Sequence, residues 1–192
     1  MKKKEIIGGI IVLFLITSLS GFLLAQVYKV TSPKIEEQKK LEQERLNKEI
    51  FPEGVKFELS FYPSPLKGEG KGEGEKRSFF IVYDKNNNEI GKIFDTKSLG
   101  YGGDIFIRVG FDNNWKIKGI KILQHNETPG LGAQIVTKEW FLKQFENLVE
   151  KDIYLKKDNP EGKIDGITGA TISSRAVTEG VRKLLEEVKN EK

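Results

Sequence analysis

Residues 104–123 read DIFIRVGFDNNWKIKGIKIL, and this stretch predicts two β-strands joined by a turn at Asn113-Asn114. Short runs rich in Val, Ile and Phe are typical of strands, and Asn tolerates the left-handed backbone conformation that tight turns need. Three further runs of this kind precede it, with Asn86-Asn87-Asn88 between the last two: VKFELSF at 55–61, SFFIVYD at 78–84 and EIGKIFD at 89–95. The sequence therefore predicts five mainly antiparallel strands, with hairpins at both asparagine turns.

Helical spacing of apolar residues returns twice toward the C-terminus. Thr137 is the predicted N-cap of a helix, KEWFLKQFENLVE, at 138–150, and a second, amphipathic helix begins near Ser173 and packs on the sheet. The predicted apolar stripes consist of Trp140, Phe141, Phe145, Leu148 and Val149 in the first helix, and Ala176, Val177, Val181, Leu184, Leu185 and Val188 in the second. Strands followed by segregated helices predict an α+β fold, a mainly antiparallel sheet with packed helices.

The beginning of the chain predicts one transmembrane helix. Residues 6–28 carry no charge, and at about 1.5 Å per residue they are long enough to cross a hydrocarbon core of about 30 Å. A cleaved secretory signal is the alternative, but the apolar run is long and no good cleavage site ends it. Lys2, Lys3 and Lys4 place residues 1–5 in the cytoplasm. We therefore expect a single-pass protein of the cell (inner) membrane whose soluble domain is extracytoplasmic.

Two further segments complete the predicted organisation. Residues 29–52 are charged with sparse apolar positions and predict a juxtamembrane helical stalk, which either stands in solvent or packs on the domain or a partner. Residues 53–192 form the predicted extracytoplasmic domain. Within it, PSPLKGEGKGEGEKR at 63–77 predicts a flexible loop, since it lacks the spacing of a nucleotide-binding glycine loop.

Composition excludes several classes of function. The 192 residues include no Cys and a single His, which removes disulfides, thiolate nucleophiles, Cys-ligated zinc or iron–sulfur clusters and multi-His metal sites. The net charge is +4, from 32 Lys and Arg against 28 Asp and Glu, and half of it lies in the first five residues. Because nucleic-acid binding needs clustered excess cation, no nucleic-acid partner is expected.

The candidate chemistry lies in the turn that precedes the last helix, DGITGATISS at 165–174. Gly169 and Ala170 allow a ligand to approach the backbone closely, and the following helix presents unpaired N–H groups that suit a phosphate. The alternative is a simple turn in which Ser173 or Ser174 caps the helix. Local physics alone favours this simpler interpretation.

Three motifs resemble the FMN-binding domain family. DGITGAT matches the flavinylation motif of that family, HNETPGLG at 125–132 resembles the segment beside the flavin ring, and YGGDI at 101–105 is similar to a weaker signature. The resemblance implies that Thr171 carries FMN through a phosphoester, with Asp165, Thr168, Gly169 and Ala170 in the same motif. It also places six residues near the cofactor: Glu127, Thr128, Pro129, Gly130, Leu131 and Gly132. His125 is left out of the site, because a lone His is more often structural.

The resemblance extends over nearly the whole chain to the flavin-carrying subunits of Rnf-type ion-translocating complexes. It implies a covalent FMN, attached by a flavin transferase that uses FAD and a divalent metal, and partnership with other membrane subunits. Electron transfer would then be the function of a complex, with no catalytic residue, no metal site and no independent activity in the isolated chain. The alternatives are a sensor or assembly module without redox turnover, or the equivalent C subunit of the sodium-pumping NADH:quinone reductase.

Overall fold

The computed structural model describes residues 2–63 and 76–190. The chain divides into two compact units, residues 1–44 and 45–192. Helix α1 runs from Lys2 to Ile50 with Pro33 inside it. It is long and apolar enough to cross a membrane, and the side chains of its most apolar part are not buried within the structure. The predicted span and most of the predicted stalk both lie within α1.

The second unit contains a five-stranded antiparallel sheet, which confirms the predicted fold class and all five predicted strands. The strands lie in the order β1-β2-β3-β4-β5, each paired with its neighbour along the chain. Their bounds are Lys56–Pro63, Lys76–Tyr83, Glu89–Leu99, Asp104–Asp112 and Ile117–Gln124. Residues 64–75 of the predicted flexible loop lie outside the described residues.

Both asparagine turns form hairpins, but they use the asparagines differently. Between β2 and β3, Asn87 has a φ of 61°, as predicted. Between β4 and β5 the left-handed residue is Trp115, at a φ of 60°, and neither neighbouring asparagine is left-handed. The Asp112 carboxylate accepts hydrogen bonds from the N–H groups of Asn114 and Lys116 at 2.9 and 2.8 Å, so the turn is held by the residue that ends β4.

One face of the sheet packs against helix α4, Thr171–Asn190. Alternate residues of β4 are fully buried on this face, namely Ile105, Ile107, Val109 and Phe111. The predicted stripe of α4 is confirmed, since all six of its apolar residues are buried. The helix begins at Thr171, two residues earlier than predicted.

The single helix predicted at 138–150 is wrong. The chain instead forms α2 at Gln134–Thr137, α3 at Glu139–Lys143 and a 3-10 turn at Glu150–Asp152, so Thr137 ends a helix and does not cap one. Asn147 has a φ of 63° and donates its N–H to the Ile117 carbonyl at 2.7 Å. This long-range hydrogen bond to the start of β5 holds the segment in a turn.

The opposite face of the sheet is covered by the end of α1 and the residue after it. Ile50 and Phe51 are buried against Val82 and Ile93. Glycine makes room for them, because a Cβ added to Gly110 would clash with Ile50 and lie 2.7 Å from Phe51 Cε2. The end of the predicted stalk therefore packs on the sheet, within the compact unit of residues 45–192.

Buried polar groups also hold the end of α1 against the sheet. Arg108 is 3% exposed and binds the Asp95 carboxylate through Nε and Nη2, both at 2.7 Å. Its Nη1 donates to Asn47 Oδ1 at 3.0 Å, and its guanidinium lies 5.2 Å from the Phe80 ring centroid. The last turn of α1 is thus joined to the sheet by hydrogen bonds as well as by apolar packing.

Candidate functional site

Three loops meet at the N-terminus of α4 and enclose a cleft of about 500 Å³. They are the β3–β4 loop, the segment that follows β5 and the turn that precedes α4. The lining residues are Tyr101, Glu127, Thr128, Leu131, Gly132, Gly169, Ala170, Thr171, Ile172 and Ser173. The three stretches that carry the family resemblance are therefore adjacent in space, although they are distant in sequence.

Glu127 joins the three loops. Its side chain is buried, with the residue 4% exposed. One carboxylate oxygen accepts the N–H of Gly102 at 2.9 Å, and the other accepts the hydroxyl of Ser173. Gly132 packs directly against this carboxylate, since any Cβ there would clash with it. A buried carboxylate needs such donors, so Glu127 holds the walls of the cleft together.

The turn before α4 presents Thr171 to the cleft. Gly169 has a φ of 81°, a conformation that favours glycine. The Ser174 hydroxyl donates to the Ala170 carbonyl at 2.9 Å and accepts the N–H of Ile167 at 3.0 Å. Ser174 therefore stabilises this turn, and the turn leaves Thr171 partly exposed as the first residue of α4.

The segment after β5 forms a second turn beside the first. Gly130 has a φ of 75°, and the Thr128 carbonyl accepts the N–H groups of Leu131 and Ala133 at 3.2 and 3.1 Å. Thr128, Leu131 and Gly132 line the cleft, whereas Pro129 and Gly130 lie in the turn outside its lining. Leu131 approaches the other turn, with its Cδ2 placed 3.6 Å from where a Cβ of Gly169 would be.

Asp165 and Thr168 are exposed and do not line the cleft. The backbone N–H of Asp165 donates to Gln144 Oε1 at 2.9 Å, and Gln144 Nε2 donates to the Asp165 carbonyl at 3.1 Å. Lys156 Nζ lies 2.6 Å from the Asp165 carboxylate. The six-residue spacing of the motif thus separates a solvent-facing Asp from a cleft-facing Thr.

The lining suits an aromatic group, and the N-terminus of α4 beside it suits a phosphate. Tyr101, Leu131 and Ile172 form an apolar rim and are 72%, 51% and 51% exposed. The volume falls in the usual range of about 300–1,000 Å³ for small-molecule sites. Thr171 offers a hydroxyl next to the first N–H groups of a long helix, which have no partner within the helix. The described residues at this site therefore fit FMN.

Sequence reasoning misses part of this lining. Tyr101 belongs to the weakest of the three signatures, Ser173 stands out only as a helix cap, and Ile172 does not stand out at all. Residues 172 and 173 are the second and third residues of α4, and side chains in the first turn of a helix tilt toward the segment that precedes it. The partners of Glu127 cannot be found by any local pattern.

Comparison with known proteins defines the class of this chain. A family model described as the FMN-binding domain matches residues 100–186, which include all three loops of the cleft. Residues 100–186 thus form an FMN-binding domain, which α1 and strands β1–β3 precede in the chain.

Relatives along the whole chain identify the family more narrowly. The G subunit of the ion-translocating oxidoreductase complex of Methanosarcina acetivorans is 31% identical over 189 residues, covering 96% of this chain and 95% of the relative. The G subunit of the proton-translocating ferredoxin:NAD(+) oxidoreductase complex of Clostridium ljungdahlii is 33% identical over 171 residues, covering 88% and 84%. This chain belongs to the family of G subunits of ion-translocating oxidoreductase complexes.

A solved structure shares the fold. The C subunit of the Na(+)-translocating NADH-quinone reductase of Parabacteroides distasonis superposes with a TM-score of 0.50, at 22% identity, over 71% of this chain and 77% of that one. At that identity the likeness shows the fold alone. The full-length relatives therefore favour the G-subunit family over the alternative of a quinone-reductase C subunit.

Proposed function

We propose that this protein is the membrane-anchored flavoprotein of an Rnf-type ion-translocating oxidoreductase, with FMN attached covalently to Thr171. The observation that carries the proposal is the position of Thr171, which lines the cleft at the first residue of α4. The names of the G-subunit relatives support membership of such a complex. The bound FMN supplies the electron-transfer chemistry, and the protein supplies the walls and the attachment point.

The residues of the cleft have distinct roles in this proposal. The first N–H groups of α4 face the phosphate, because a helix N-terminus carries unpaired donors and a partial positive charge. Leu131 and Ile172 provide apolar walls for the ring. Glu127 holds the loops in position through its hydrogen bonds with Gly102 and Ser173, so that the orientation of the cofactor is fixed.

Attachment of FMN is a balanced phosphoryl transfer from FAD. The Thr171 hydroxyl oxygen forms a new bond to the flavin-side phosphorus, the bond from that phosphorus to the bridging pyrophosphate oxygen breaks, and AMP leaves. The hydroxyl proton is transferred to a base. Its positive charge balances the negative charge that AMP gains when the pyrophosphate bond breaks. An unassisted Thr hydroxyl is a weak nucleophile, so the proposal includes a flavin transferase with a divalent metal as partner. The exposed Asp165 is available for recognition by that enzyme.

The proposal is tested by co-expressing the full chain with a flavin transferase and measuring intact mass. Unmodified and modified chains differ by one FMN less one water, and the flavin absorbance stays with the denatured polypeptide. Thr171→Ala should abolish the added mass. Thr168→Ala is the matched control and should retain at least part of it, because Thr168 does not line the cleft. Asp165→Ala should slow attachment.

Three outcomes would overturn this proposal. Added mass on Thr171→Ala, or peptide mapping of the flavin to Thr168, Ser173 or Ser174, would place the linkage elsewhere. A colourless wild-type protein made alongside an active transferase would favour a sensor or assembly module of the same fold.

The proposal also includes the side of the membrane and the partners. We infer that the domain is extracytoplasmic, because Lys2, Lys3 and Lys4 precede the apolar part of α1. A reporter fused after Lys192 should be active only outside the cytoplasm. Affinity isolation from native membranes in mild detergent should recover other membrane subunits, and electron transfer should require them. Recovery of this chain alone, or a cytoplasmic reporter, would contradict these parts of the proposal.

A further inference from the structure

An exposed ion pair lies beside the start of α4. Arg175 Nε donates to Asp158 Oδ2 and Arg175 Nη2 to Asp158 Oδ1, both at 2.7 Å. The side chains of Arg175 and Asp158 are 40% and 33% exposed, and the guanidinium holds the pKa of Asp158 below its usual value through hydrogen bonding. This two-point contact orients the guanidinium at the surface of the domain without burying it.

Arg175 follows Thr171 by one helical turn. Residues four apart on a helix are neighbours, with Cβ atoms about 5–6 Å apart, and each Cα–Cβ bond tilts toward the helix N-terminus. The Cα–Cβ bond of Arg175 therefore tilts toward the turn of α4 that begins with Thr171. Asp158 occupies Nε and Nη2, while Nη1 has no hydrogen-bond partner among the described residues.

The cleft lacks a cation for an anionic ligand. Among the described residues that line it, Glu127 is the only carboxylate and none is Lys or Arg. A phosphodiester on Thr171 would add a negative charge to a site that already contains this buried carboxylate. Arginine suits such a group, because its planar guanidinium donates charge-assisted hydrogen bonds to phosphate oxygens.

We propose that Arg175 binds the phosphate of the group carried on Thr171 through its Nη1 edge, and that Asp158 is a positioning residue for Arg175. This inference rests on the proposed covalent attachment of FMN at Thr171. An exposed ion pair restrains its partners only weakly, so the guanidinium can pivot toward the phosphate while Asp158 still limits its orientation.

The test uses the full chain in detergent, modified by a flavin transferase to completion, and records the ³¹P NMR resonance of the attached phosphodiester. Arg175→Gln removes the proposed contact. Arg175→Lys keeps the positive charge but replaces the planar guanidinium, with its several N–H donors, by an ammonium group. Lys183→Gln is the control, because it removes one exposed positive charge from the same helix three turns beyond Thr171, where Lys183 pairs with Glu179. Initial rates of mass gain are measured for each chain.

We expect both Arg175 variants to shift the ³¹P resonance and Lys183→Gln to leave it unchanged. Asp158→Asn should shift the resonance less than Arg175→Gln does. The initial rate for Arg175→Gln should fall about tenfold, as loss of one charge-assisted hydrogen bond implies, with partial rescue by Arg175→Lys.

An unchanged resonance in Arg175→Gln would overturn the inference even if its rate fell, since Arg175 would then act only on the transferase. An equal shift in Lys183→Gln would also overturn it, because net charge alone would explain the effect. Failure of the proposed function is distinct, since wild-type protein would then gain no mass at Thr171.

Discussion

The hydroxyl of Ser173 donates a hydrogen bond to the buried carboxylate of Glu127, across 46 positions of sequence. The same carboxylate accepts the N–H of Gly102 at 2.9 Å. One side chain therefore connects α4, the segment after β5 and the β3–β4 loop. These three segments line the cleft, and the carboxylate of Glu127 connects them.

Removing this carboxylate should destabilise the domain. Glu127→Ala leaves the Gly102 N–H and the Ser173 hydroxyl without their acceptor, and a buried unsatisfied polar group costs about 1–3 kcal/mol. Thermal unfolding of the full chain should show this loss. Glu179→Ala is the control, because Glu179 lies on α4 with a side chain 47% exposed, and surface changes usually stay within about 0.5 kcal/mol. Equal stability of the two variants would contradict a joining role for Glu127.

Gly169→Ala should impair flavin attachment as well as stability. Gly169 has a φ of 81°, and a side chain in this conformation costs about 1–2 kcal/mol. Relief of that strain would move the adjacent turn and with it Thr171. Gly130→Ala provides a matched control, since Gly130 has a φ of 75° with no atom within 4 Å of an added Cβ.

The two glycine variants should therefore have similar free energies of unfolding but different rates of mass gain with a flavin transferase. We expect the rate for Gly169→Ala to fall at least severalfold, with Gly130→Ala close to wild type. Similar rates for both variants would show that the conformation at Gly169 does not set the position of Thr171.

Gly110→Ala should weaken the contact between the end of α1 and the sheet. The added Cβ would clash with Ile50 and lie 2.7 Å from Phe51 Cε2, and overpacking of this kind typically costs about 1–3 kcal/mol. Gly119→Ala, on the neighbouring strand, places its Cβ at 3.6 Å from Ile50 Cα, an ordinary contact. Amide hydrogen exchange at residues 45–51 should increase only in Gly110→Ala; equal exchange in both variants would contradict the tight fit.

The strands and α4 are predictable because their patterns are local. Period-two runs such as DIFIRVGFD bury alternate residues on the α4 face, and Val177, Val181 and Leu184 repeat at helical spacing. The helix predicted at 138–150 has the same quality of pattern, but α3 ends at Lys143. Beyond it, the left-handed Asn147 donates its N–H to the Ile117 carbonyl. Long-range hydrogen bonds override helical propensity there, and no local pattern reports them.

The candidate site is predictable only in part for the same reason. Thr171 and Glu127 are found through motifs, and the structure brings both to one cleft. The outward position of Asp165 depends on Gln144, 21 residues away, and the contact of Ser173 with Glu127 joins residues 46 positions apart. Both features depend on a contact with a residue outside the motif, so the residue spacing within the motif does not predict them.

The contact between the end of α1 and β5 should weaken in acid. The pKa of Glu49 is lowered mainly by its hydrogen bond with Lys121, and that of Glu53 by its hydrogen bond with Lys118. A lowered folded-state pKa adds stability above the unfolded value of about 4.5, and this stability is lost as the pH falls through the folded value. Both side chains are more than a third exposed, at 35% and 48%, so each pair contributes about 1 kcal/mol or less.

Thermal unfolding of the full chain between pH 6.5 and 3.5 should therefore show a steeper loss of stability with acid for wild type than for the double variant Glu49→Gln and Glu53→Gln. Parallel pH profiles for the two proteins would show that these carboxylates do not link protonation to the folding of this region.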